Sequence, residues 1–115
     1  MRTGLAMIAA MLLAGCASSV IENARSGQPD RIFNSTKEAA KVAECVQFSW
    51  QDEAAFGVDA SGYLERQAGL IVVSTRGAEF FADIAANGGG SEVKFYAKTK
   101  GPLAQRRMAA LATCL

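Results

Sequence analysis

The feature that most limits what this chain can fold into is a change of hydrophobic period along its length. Between residues 39 and 50, Ala39, Val42, Ala43, Val46 and Trp50 recur at helical spacing, so one stripe faces a core. The preceding Ser35-Thr36-Lys37-Glu38 matches a capping box, in which two side chains satisfy the first orphan amides, and a helix is predicted to start there. At the other end Gly101-Pro102 sets proline at a first helical position, and Ala104, Met108, Leu111 and Leu115 share one face of a second helix.

Between these helices the period falls toward two and β-branched residues gather. Gly62–Arg66 reads as a first strand, Gly69–Thr75 as a buried second one, and Arg76-Gly77 as a turn. Ser91–Lys98 alternates, with Val93, Phe95 and Ala97 inward and Lys94, Tyr96 and Lys98 outward. Residues 78–86 fit either a strand or a short helix ended by Asn87-Gly88; the strand is favoured because Asn87-Gly88-Gly89-Gly90 would join it to its neighbour as a hairpin. The expectation is an α+β fold, a small antiparallel sheet of three to four strands with an N-terminal and a C-terminal helix packed on one face, in the order αββββα. Trp50 and the phenylalanines belong most simply to the core, the alternative being that Trp50 or Tyr96 lines a ligand groove.

The chain opens Met1-Arg2-Thr3, continues as an uncharged run from Leu5 to Ala14 and ends that run in small residues, the layout of a signal peptide. The run is too short to span a bilayer, which takes roughly 18 apolar residues or more. Leu13-Ala14-Gly15-Cys16 resembles the lipobox of bacterial lipoproteins, an aliphatic residue and two small residues before a cysteine whose thiol accepts a diacylglycerol. The resemblance implies that Cys16 becomes the lipidated first residue of the mature protein and its link to the membrane; an ordinary signal peptide with a chance cysteine is the alternative. Ala17 stands where an inner-membrane retention signal would usually show Asp, which implies the outer membrane, on the periplasmic side. The expected organisation is a lipoprotein signal peptide over 1–15, a lipidated cysteine and flexible tether over 16–34, mostly small and polar with one Gly-Gln-Pro-Asp turn, and a single α+β domain over 35–115.

A domain that small gains modest stability from burial alone, and covalent stapling often supplements it. Export places the remaining pair, Cys45 and Cys114, where disulfides form. Each lies on the edge of its helix's apolar stripe, so two helices packed by those stripes with a bridge at the rim would explain both placements. Two free thiols are the alternative. A metal site is disfavoured, because the chain has no histidine and two thiolates are too few ligands. A mid-helix cysteine followed five residues on by Trp50, with a second cysteine at the C-terminus, is similar to a loose group of small envelope lipoproteins of no assigned activity.

Loss of residues 1–15 would remove Arg2 from twelve basic side chains and leave eleven against eleven acidic ones. The distribution is uneven: no acidic residue follows Glu92, whereas Lys94, Lys98, Lys100, Arg106 and Arg107 do. Such a basic end could meet an anionic partner, although solvated strand and helix faces account for it as well. For a neutral chain expected to be membrane-tethered and showing no nucleic-acid module signature, DNA or RNA is not the expected partner.

Catalytic constellations are thin. Without histidine there is no Ser-His or Cys-His pair. Ser91-Glu92-Val93-Lys94 matches the Ser-x-x-Lys pattern of penicillin-interacting enzymes, but positions three apart in a strand point to opposite faces, and the companion motifs are absent. Asp52-Glu53 reads as a solvated carboxylate pair in a loop, and the Asn87–Gly90 loop lacks the lysine and spacing of a phosphate cradle. No catalytic residue, metal ligand or cofactor is expected. The expected function is a non-enzymatic, lipid-anchored binding or accessory module of the envelope, holding a protein or a cell-wall component; a periplasmic enzyme inhibitor or immunity-type protein is the alternative.

Overall fold

The computed structural model describes residues 19–53 and 61–115, so the expected signal peptide and the expected lipidation site, Cys16, lie outside the described residues. Five strands form one antiparallel sheet: β1 (Arg31–Ser35), β2 (Tyr63–Gln67), β3 (Leu70–Ser74), β4 (Phe80–Asn87) and β5 (Gly90–Ala97). Their order across the sheet is β1-β5-β4-β3-β2. Helix α1 covers residues 19–26, α2 spans Ala39–Asp52 and α3 spans Pro102–Ala112. The α+β class and the antiparallel sheet match expectation, but there is one strand and one helix more than the order αββββα contains.

Both additions come from the stretch expected to be a tether. Residues 31–35 form an edge strand on β5, with Phe33 opposite Val93 and Ser35 opposite Ser91. Asp30 fixes where this strand begins: its N–H donates to the Phe95 carbonyl at 2.8 Å and its carboxylate accepts the Ala97 N–H at 2.7 Å. With Ser35 drawn into the sheet, the expected capping box does not form. Helix α2 starts instead at Ala39 after an extended Glu38 that makes no side-chain cap, and the Ser35 hydroxyl accepts the Lys37 N–H at 3.1 Å.

The inner face of the sheet carries α2 and α3, the two helices read from the apolar stripes. Val42, Ala43, Val46 and Trp50 of α2 and Ala104 and Leu111 of α3 are buried against Val73, Phe80, Ala82, Ile84, Val93 and Phe95. Trp50 locks the two helices together, because its indole N–H donates to the Arg107 carbonyl at 3.0 Å while Nη1 of Arg107 donates back to the Trp50 carbonyl at 3.2 Å. At the rim a disulfide joins Cys45 to Cys114 with Cα atoms 5.7 Å apart. Phe48, expected in the core with the other phenylalanines, instead lies on the outer side of α2 and is 69% exposed.

Residues 80–87 are a strand, which resolves the ambiguous segment, and the hairpin to β5 closes through Gly88 and Gly89 between the paired Asn87 and Gly90. Both loop glycines have positive φ, 56° and 90°, the geometry a tight two-residue hairpin demands. The β3–β4 connection is a short 3₁₀ turn, Arg76–Ala78.

Candidate functional site between the first helix and the sheet

The sheet's outer face would be half wet without α1. Strand alternation brings Val72, Phe81 and Tyr96 together there, and Val20, Ile21 and Ala24 of α1 cover them. The Phe81 and Tyr96 rings lie nearly parallel, with centroids 4.6 Å apart and planes 11° apart. Tyr96 does point away from the main core, as its place in the alternation predicts, but α1 buries it to 6% exposure, so it is not a solvent-facing residue.

An ion pair clamps the helix in place. Arg25 of α1 reaches Asp83 of β4 in a two-pronged contact, Nε to Oδ2 at 2.7 Å and an Nη to Oδ1 at 2.6 Å. Its guanidinium also sits 5.7 Å from the centroid of the Phe81 ring. The hydrogen bonds to Asp83 raise the Arg25 pKa further above its ordinary value, against the opposing pull of burial. Burial raises the Tyr96 phenol above 10.0, helped by the Asp83 charge and countered by Arg25.

Along one side of α1 runs an open cleft of about 450 Å³. Val20 and Ala24 line it beside the polar Asn23, Gln28 and Asp30, the edges of the buried Phe81 and Tyr96 rings contribute little exposed surface, and Lys98 and Lys100 also border it. The two lysines are not equivalent. Lys100 is paired with the Asp30 carboxylate and also donates to the Ala97 carbonyl at 2.8 Å, whereas Lys98 has no ion-pair partner among the described residues.

The five cations of the expected basic end therefore do not form one surface. Lys94 and Lys98 lie on the outer face of the line of β5, and Lys94 is 3.9 Å from Glu92. Arg106 is on α3, across the sheet, paired with Glu53. Arg107 is 1% exposed and joins α3 to α2 through its hydrogen bond to the Trp50 carbonyl. A sheet separates residues that are neighbours in sequence, and the outward side of α3 is not the outward side of β5.

Ser91 and Lys94 fall on opposite faces of β5, Ser91 donating to the Lys37 carbonyl at 2.9 Å and Lys94 on the side of Asp83. Asp52 closes α2 rather than lying in a loop, and Glu53 is held by Arg106. The residues that build the cleft and its clamp, Arg25, Asp30, Phe81 and Asp83, were not singled out from the sequence. The signal available for α1 was Val20, Ile21 and Ala24 at helical spacing with Arg25 beside them, within a stretch too short to show a repeat. Among the described residues no helix is long and apolar enough to cross a membrane. No protein family, curated protein or solved structure matches the chain.

Proposed function

We propose that this chain is a lipid-anchored protein of a bacterial envelope, held at the outer membrane through Cys16 and acting by binding a partner rather than by catalysis. The observation that carries the reading is the position of Leu13-Ala14-Gly15-Cys16 directly before α1: the cysteine of a lipobox precedes Ser19, the first described residue of that helix, by three positions. Three residues reach at most about 10 Å, so an acylated Cys16 would hold the start of α1 close to the bilayer surface instead of on a long leash. Two or three acyl chains supply a stable anchor, at about 0.8 kcal/mol for each buried methylene. The disulfide between Cys45 and Cys114 agrees with an oxidising compartment outside the cytosol.

Intact-mass measurement of the protein extracted from membranes tests the anchor. The expected mass is that of residues 16–115 plus diacylglycerol, with or without a third acyl group, and Cys16→Ser should move the protein into the soluble periplasmic fraction. A chain beginning elsewhere, or one without lipid, refutes it. Cross-linking of the anchored protein in cells, with mass-spectrometric identification of what is attached, tests the binding role; a stoichiometric protein or cell-wall fragment is the expected product.

A further inference from the structure

Two strands end the sheet, β1 and β2, and neither has a further neighbour among the described residues. An open strand edge is a template for pairing with another chain, and edges that stay single carry charges, prolines or bulges that oppose it. β2 is defended in this way: Glu65, Arg66 and Gln67 are exposed along it, and a second copy laid antiparallel in full overlap would set Glu65 opposite Glu65. β1 has an apolar centre instead, Ile32 and Phe33. Ile32 is 51% exposed and stands on the outer side of the sheet, opposite Lys94 of β5. Arg31 and Phe33 take the inner side, opposite Phe95 and Val93, and the Arg31 guanidinium lies 5.8 Å from the centroid of its own Phe33 ring.

We propose that β1 pairs antiparallel with β1 of a second copy of this chain, joining the two sheets into one across a twofold axis at Ile32. The register follows from the side chains. With Ile32 opposite Ile32, Arg31 of each copy falls opposite Phe33 of the other, so the outer side gains an apolar pair and the inner side two arginine–aromatic contacts, with no like charges directly opposed. Residues opposite one another in antiparallel strands share a face, so this axis stands normal to the sheet and leaves both α1 helices on the same side. That geometry decides between β1 and Phe48, which is 69% exposed on α2: pairing through α2, on the inner side, would send the two outer faces and their α1 helices to opposite ends. Two chains tethered at Cys16, three residues before α1, have to reach one bilayer, and the β1 joint lets them; this step rests on the lipid-anchor reading of Cys16. Five paired residues make an interface well below the roughly 1,200 Å² of a stable complex, so the pairing is weak in free solution and gains from the effective concentration that a shared membrane supplies.

The test holds residues 16–115, with Cys16→Ser and the disulfide intact, on vesicles of phosphatidylcholine and a nickel-chelating lipid through an N-terminal hexahistidine tag, and treats three single-cysteine variants with bismaleimidoethane. Ile32, Asn34 and Phe48 are all exposed, so each variant should keep the wild-type circular dichroism spectrum. The expected result is a covalent dimer from Ile32→Cys, whose two copies face each other across the axis. Asn34→Cys should give about tenfold less, because its two copies stand four strand positions apart, roughly 13 Å along the joint. Phe48→Cys should give as little. Equal yields at the three positions, no dimer from Ile32→Cys, or a greater yield from Phe48→Cys overturns the proposal. The tag supplies the tether, so failure of the cross-linking would leave the Cys16 anchor standing, and an intact mass without lipid would refute the anchor while leaving the cross-linked dimer standing.

Discussion

At the scale of single residues, three positions carry distinct physical demands. Gly90 begins β5 where β1 ends, and a Cβ built there would stand 2.1 Å from the Ser35 carbonyl oxygen and 3.1 Å from Thr36 Cα. Backbone atoms cannot yield as a side-chain tip can, so Gly90→Ala should cost about 2–3 kcal/mol, at the upper end of overpacking penalties. That lowers the melting temperature by roughly 10 °C or more for a domain of this size. Gly88 is open to solvent with φ of 56°, so Gly88→Ala should cost only about 1 kcal/mol of backbone strain. Equal melting temperatures for the two variants would rule out the close approach at Gly90. Tyr96 makes a pH-dependent contribution instead. Its folded-state pKa lies above 10.0, so the native state keeps the phenolic proton longer than the unfolded chain does. This stabilisation is fully present below pH 10 and is lost as pH rises through the folded value. Urea denaturation between pH 8 and pH 11 should therefore show a steeper decline for the wild type than for Tyr96→Phe, and parallel declines would contradict the buried phenol.

At the scale of elements, α1 is attached to the sheet's outer face through side chains. It packs on the sheet through three apolar side chains and the Arg25–Asp83 pair, without any strand partner. Asp83→Ala leaves Arg25 able to turn to water, since its side chain is already 28% exposed, and removes the clamp. Amide exchange over residues 19–26 should then accelerate by about tenfold, with β4 and β5 changing far less, as expected for a local opening. Uniform acceleration across the sheet would mean that α1 and the sheet open as one unit. The elements differ in how far they could be read in advance for a related reason. α2, α3, β3 and β5 carry their own periodicity over enough residues to be recognised, and the positions of Cys45 and Cys114 on the edges of two stripes foretold their meeting. α1 and β1 are short, and what holds them is an arginine and an aspartate 58 positions apart and an Asp30 that reaches across to Ala97, neither of which leaves a local pattern. The cleft was illegible for the same cause, because its walls come from α1, β4 and β5, and only the turn of the chain at residues 27–30 brings them together. Lys94 and Lys98 were placed outward correctly, but the grouping with Arg106 and Arg107 ignored the sheet that lies between them.

At the scale of the whole molecule, the chain is fastened at its two inner helices rather than through its sheet edges. α2 follows the first strand and α3 ends the chain, so the Cys45–Cys114 bridge closes a loop with a sequence separation of 69 that contains β2 to β5. In the chain-entropy picture a loop of that length restricts the unfolded ensemble by roughly 4 kcal/mol, less whatever native strain the bridge introduces. A small α+β domain with total stability on the order of 5–10 kcal/mol would lose a large share of it on reduction. The Trp50–Arg107 hydrogen bonds and the apolar core between α2, α3 and the sheet remain when the bridge is cut, so the reduced chain should fold, at lower stability. Cys45→Ala/Cys114→Ala should accordingly lower the unfolding free energy by about 2–4 kcal/mol, with a steeper dependence on urea because the unbridged unfolded chain exposes more surface. A change in stability without that steeper slope would place the effect of the bridge in the native packing of α2 against α3. A change in both would place it in the unfolded chain, whose conformations the bridge between Cys45 and Cys114 restricts.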